Sequence, residues 1–119
     1  MLSPAQAAVY RKIAIGDEAA MTSLFAESEG LPTLLDARMS AVAHLAALIV
    51  VDAGAPAYQR EVRIALGAGL SPDQITGVLL AVAPIAGSAL VMSAAPKLAL
   101  ALGYDVDAGL EDSELREDR

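Results

Sequence analysis

A chain of 119 residues is enough for one domain and short for two well-packed ones. It is 55% hydrophobic and 19% charged, with a mean hydropathy of +0.50, so it carries more apolar surface than a small domain can bury alone; this predicts a homo-oligomer. Having no cysteine excludes disulfides, thiolate nucleophiles and Cys-ligated metals, a single His argues against a His-rich metal site, and a net charge of −7 with no basic stripe argues against a nucleic-acid partner.

No segment alternates apolar and polar residues with a β-branched bias, so no strand is expected. The predicted class is all-α, with about six helices punctuated by Gly and Pro. The first helix opens on Ser3-Pro4, with Ser3 as N-cap, Pro4 at the first helical position and Gln6 at the capping-box position, and ends near Gly16. A second, short helix spans about Asp17 to Glu29, with Met21, Leu24 and Phe25 at helical spacing. Gly30 stops it, and Leu31-Pro32-Thr33 is a connector.

Asp36 suits the N-cap of the third helix, Ala37 to about Asp52. Arg38, Ala41, Val42, Leu45 and Ile49 share one face, and Ser40, His44, Ala47 and Val51 share the opposite one. A helix apolar on both sides is wrapped by neighbours or by another subunit. The fourth helix runs from about Pro56 to Leu66. Tyr58, Val62, Ala65 and Leu66 form its apolar face, Gln59, Arg60 and Arg63 its polar face, and Glu61 sits on the border. Gly67 and Gly69 end it. Ser71-Pro72-Asp73-Gln74 starts the fifth helix, with Ile75, Val78, Leu79 and Val82 on one face, and Pro84-Ile85-Ala86-Gly87 is read as a break. The sixth helix runs from about Ser88 to Leu102, with a kink expected at Pro96 and a stop at Gly103. Met39, Val91 and Met92 are read as core residues.

From Tyr104 to Arg119 there are seven acids and two bases, against eight acids and six bases before it. The organisation expected is a single domain over 1–104 and an acidic tail, solvated and partly disordered, over 105–119. Gln74 to Pro96 carries no charge, but Pro84 and Gly87 interrupt it and small residues dilute it, so two buried helices are preferred to a membrane span. The N-terminus lacks a basic region followed by an apolar one, and the expected location is cytoplasmic.

Several motifs in this order carry a resemblance: Leu35-Asp36-Ala37-Arg38, Tyr58-Gln59-Arg60-Glu61, Ala65-Leu66-Gly67-Ala68-Gly69-Leu70-Ser71-Pro72-Asp73-Gln74, Ala83-Pro84-Ile85-Ala86-Gly87 and Ala101-Leu102-Gly103-Tyr104-Asp105. Together they resemble the carboxymuconolactone decarboxylase family, which includes the alkylhydroperoxidase D-like proteins. The resemblance implies an all-α fold assembled as a trimer or hexamer. In the peroxidatic branch the two Cys positions fall on Gly54 and Ala57, the upstream Glu on Val42 and the His on Glu61. With no thiol to attack a peroxide, peroxidase chemistry is not expected here.

The decarboxylase branch removes a carboxylate from an unsaturated lactone and must reprotonate the dienolate that remains. That chemistry needs a cation for the substrate carboxylate and a general acid. Glu61 is the candidate acid, provided that burial lifts its pKa. Arg38, Arg60 or Arg63 could hold the anion, with Arg38 and Arg63 favoured beside Gln59, since a guanidinium matches a planar oxyanion. Tyr58 and His44 are further catalytic candidates. The expected function is a cofactor-free lyase or isomerase acting on a small acidic or lactone ligand at a subunit interface. The competing expectation is a non-catalytic ligand-binding or structural oligomer. In it Glu61 is ion-paired with an arginine, Asp36 and Arg38 anchor the fold, and His44 is a packed interface residue. No phosphate loop, GxGxxG or nucleophile elbow is present, and no cofactor or metal is expected.

Overall fold

The computed structural model describes residues 1–26 and 34–117. They form seven helices and no strand: α1 Pro4–Ala14, α2 Glu18–Ala26, α3 Ala37–Val50, α4 Ala55–Gly67, α5 Pro72–Ala86, α6 Ser88–Ala101 and α7 Val106–Glu117. The chain divides into two compact units, Met1–Leu34 and Leu35–Arg119.

In the first unit α1 packs on α2. The capping box forms as its residues dictate: Ser3 Oγ accepts from the Gln6 N–H (3.2 Å) and Gln6 Oε1 from the Ser3 N–H (2.9 Å). Asp17 Oδ1 accepts from the Ala20 N–H at the start of α2 (2.9 Å). Tyr10, Ile13, Leu24 and Phe25 are exposed. The predicted end of the second helix, its Gly30 stop and the Leu31–Thr33 connector lie outside the described residues.

The second unit is built on α3, which packs on α4 and α5, while α4 and α5 both pack on α6. Its core follows helical spacing: Ala41, Leu45 and Ile49 from α3, Tyr58, Val62 and Ala65 from α4, Ile75 and Val78 from α5, Ala94 and Leu98 from α6, with Leu70 from the α4–α5 link. Each fully buried Leu or Ile contributes roughly 1.5–3 kcal/mol of transfer free energy. The Ala positions let neighbouring helices approach closely.

Caps begin α3 and α5 as expected. Asp36 Oδ1 accepts from the Met39 N–H (2.8 Å), and Ser71 and Gln74 form a second reciprocal capping box (3.1 and 2.9 Å). The break between α5 and α6 is narrower than expected. The helix continues through Pro84 to Ala86 and turns only at Gly87, whose φ of +86° favours a residue without Cβ. Pro84 lacks the N–H that would bond back to the Leu80 carbonyl, so α5 runs on to Ala86 with one helical bond fewer.

Three further expectations are corrected. The acidic tail is helical to Glu117: Asp105 Oδ1 accepts from the Ala108 N–H (3.2 Å), and Asp107 adds favourable negative charge to the first turn. This helix packs on α6. Met39 and Met92 are exposed (56% and 73%) and Val91 is half-buried, so none of the three belongs to the core. Val42 and Leu66, assigned to buried faces, are partly exposed at 37% and 42%. Among the described residues no single helix is long and apolar enough to cross a membrane; α6 and α7 reach that composition only as a pair bent by 97°.

Candidate functional site

The sequence candidates separate into four places. Only one joins two catalytic candidates. His44 on α3 and Glu61 on α4 face each other, with His44 Nδ1 3.4 Å from Glu61 Oε2. The side chains are 58% and 16% exposed, so the imidazole stands open to solvent while the carboxylate is sheltered behind it. The spacing is long for a hydrogen bond and close enough for an ion pair once His44 is protonated. Glu61 therefore pairs with His44, not with an arginine.

Gln59 and Arg63 occupy another side of α4. With Val62, Leu66, Leu100 and Ala101 they line an open groove of about 420 Å³ between α4 and α6. Both are exposed, and Arg63 makes no hydrogen bond or ion pair among the described residues.

Arg38 is committed to a fold contact. Its Nη2 donates to Gln74 Oε1 (3.3 Å), the same amide oxygen that caps α5, so it ties the start of α3 to the start of α5. Tyr58 is in the core. It is 0% exposed, and its Oη is buried without a hydrogen-bond partner. Burial, and secondarily the charge of Asp52, raise the phenol above its ordinary pKa. A side chain so enclosed packs the core and does not reach a ligand at the surface of this chain.

The structure also assembles a polar cluster that the sequence motifs do not reveal. Ser93 and Lys97 are one turn apart on α6 and meet Asp52 in the α3–α4 turn. Ser93 Oγ donates to Asp52 Oδ1 (2.6 Å), and Lys97 Nζ donates to Asp52 Oδ1 (3.4 Å), Ser93 Oγ (3.3 Å) and the Ala53 carbonyl (3.0 Å). The three protons of the ammonium are thus all used. Asp52 itself has a φ of +53°, and the Ala53 N–H bonds back to the Leu48 carbonyl (3.0 Å), the pattern of a left-handed helix terminus. The Ser93 hydrogen bond first, then Lys97, holds the Asp52 carboxyl below its ordinary pKa. The Ser93/Lys97 spacing was visible on a helix, but nothing in sequence brought Asp52 to it from 41 residues away.

Two other cavities lie near α7. One of about 350 Å³ is lined by Thr76, Leu79, Leu98, Leu102, Tyr104 and Val106 among others. The other, about 150 Å³, has Lys97, Asp105 and Asp107 on its wall. Neither touches His44 or Glu61. Among the described residues no group of three or more His, Asp or Glu side chains is placed to hold a metal ion.

No family model, curated protein or solved structure matches this chain.

Proposed function

We propose that the chain is a cofactor-free lyase or isomerase of the carboxymuconolactone decarboxylase type, working as a homo-oligomer on a small carboxylate or lactone. The His44–Glu61 couple carries this reading: two proton-transferring groups from different helices stand 3.4 Å apart, one sheltered and one open to solvent. In the reaction the bond between the lactone and its carboxylate breaks, CO₂ leaves, and the electron pair spreads into a dienolate. The proton that goes to carbon comes from water by way of the His44–Glu61 couple. Exposed apolar side chains support self-association: Met39, Val42, Val51, Leu80, Ile85 and Met92 all stand in solvent in the lone chain.

The test is to incubate the protein with carboxymuconolactone and follow CO₂ release and ultraviolet absorbance, with Glu61→Gln and His44→Ala as controls. Sedimentation velocity measures assembly in the same samples. Turnover lost in Glu61→Gln with the assembly intact supports the proposal; no turnover by the wild-type oligomer refutes the lyase.

A non-catalytic oligomer is the second reading. Its support is that the sheltered carboxylate lies beside none of the cavities described above, while the Asp52–Ser93–Lys97 cluster is fully occupied in joining helices.

A further inference from the structure

The two halves of the proposed chemistry lie on opposite sides of one helix. Along α4 each residue advances by about 100°. Gln59, Val62, Arg63 and Leu66 form one stripe; Ala57, Glu61, Ile64 and Ala68 form another, and by that spacing Glu61 points roughly 160° away from Arg63. The helix between them is about 10 Å across with its side chains. A small carboxylate held by Arg63 therefore cannot present its reacting carbon to Glu61 of the same chain.

We infer that the site is completed in trans. The Gln59–Arg63 groove of one copy meets the His44–Glu61 couple of the next, so that each contact between copies makes one whole site. This inference rests on the proposed lyase only for its substrate; the contact itself rests on the surfaces.

Charge favours that occupant. Arg63 is an exposed cation without a partner among the described residues, and Gln59 beside it is exposed as well. The opposite stripe offers a carboxylate whose neighbour in its own chain is an imidazole at 3.4 Å. The apolar surround also matches. Leu66 and Leu100 (42% and 48% exposed) flank the groove, and Ile64 (45%) stands on the stripe with Glu61. Two different patches that complement each other give a head-to-tail contact, which closes into a ring where the rotation between copies divides a full turn. The ligand class follows from the two halves: a molecule with one carboxylate, for the guanidinium and amide, and a short apolar body carrying the reacting carbon toward Glu61.

Because the chain has no cysteine, single introduced thiols report the contact cleanly. Ile64→Cys and Leu100→Cys variants are mixed in equal amounts, allowed to exchange and mildly oxidised. The expected result is that the cross-link joining one variant to the other dominates over either self-pair. An oligomer that yields only self-pairs has a two-fold contact and overturns the inference. A species that sediments as a monomer overturns both the inference and the proposed assembly. A second arm co-expresses Glu61→Gln with Arg63→Met. Each variant alone is inactive, and the mixed ring regains up to about a quarter of wild-type turnover, since one contact in four pairs two intact halves. Mixed rings that stay inactive while the wild type turns over show a site complete within one chain and overturn the inference. Dominant cross-linking between the two thiol variants, without turnover in the wild type, leaves the contact standing and removes only the lyase.

Discussion

Ser93 donates a 2.6 Å hydrogen bond to Asp52, a residue 41 positions earlier that sits at the left-handed end of α3. A non-glycine residue in that conformation is strained unless its side chain is held. Here Ser93 and Lys97 hold it, and the α3–α4 turn is pinned to α6 as a result. Asp52→Ala loses both anchors and keeps the unfavourable φ; Asp52→Gly loses the anchors and relieves the φ. We expect the urea midpoint to fall in the order wild type, Asp52→Gly, Asp52→Ala. Equal midpoints for the two variants contradict the strain argument.

The same cluster has a pH signature. The folded Asp52 carboxyl titrates below its unfolded value of about 3.9. Its contribution to stability is therefore present above about pH 4 and is lost as pH falls through the lower, folded value. A Ser93→Ala variant, without the largest of the lowering contacts, should show a smaller stability loss between pH 5 and pH 3 than the wild type. Thermal melts across that range measure it.

Tyr58 makes the opposite prediction about a hydroxyl. Its Oη is buried and unpartnered, so removing it relieves a desolvation cost while the ring keeps packing. Tyr58→Phe should be neutral or stabilise by up to about 1 kcal/mol, whereas Tyr58→Ala should cost roughly 3–5 kcal/mol by opening the core. Burial disfavours the ionised phenol, so the folded state keeps its full stability below about pH 10, while the phenol is neutral in both states, and loses stability as pH climbs through the raised folded value. Tyr58→Phe should remove that alkaline loss, as read in chemical denaturation at pH 9 and pH 11.

Arg38 separates anchoring from ligand binding. Its contact with Gln74 is exposed, so Arg38→Ala should cost about 1 kcal/mol or less and leave affinity for a small carboxylate unchanged. Arg63→Met, in contrast, should leave the monomer fold intact and weaken that affinity at least tenfold. Isothermal titration with a small mono-carboxylate distinguishes the two.

At Gly109 a Cβ would run into the Tyr104 phenol. Gly109→Ala improves helix propensity by about 1 kcal/mol but must displace that ring. The substitution should stabilise more in a Tyr104→Ala background than in the wild type. A double-mutant cycle on unfolding free energy reads the difference directly.

Much of the fold was legible from local chemistry. Ser3 with Gln6, Asp36 at the head of α3, and Ser71 with Gln74 cap their helices through bonds that span three residues, so neighbours along the chain suffice to specify them. The spacing of Ala41, Leu45 and Ile49, and of Tyr58, Val62 and Ala65, marked the buried faces for the same reason. The acidic composition of 105–119 masks the seventh helix, whose local signal is the cap that Asp105 provides.

The chain on its own thus determined where α1, α3 and α5 start, that the Tyr58–Val62–Ala65 and Ile75–Val78 stripes turn inward, and that no thiol chemistry is possible. Only the packing of distant helices decided that His44 meets Glu61, that Arg38 serves Gln74, that Tyr58 is sealed in the core, and that Asp52 gathers Ser93 and Lys97. The reason is range. Caps and amphipathic stripes are settled within a turn or two of backbone, whereas a polar cluster forms between residues whose separation along the chain says nothing of their separation in space.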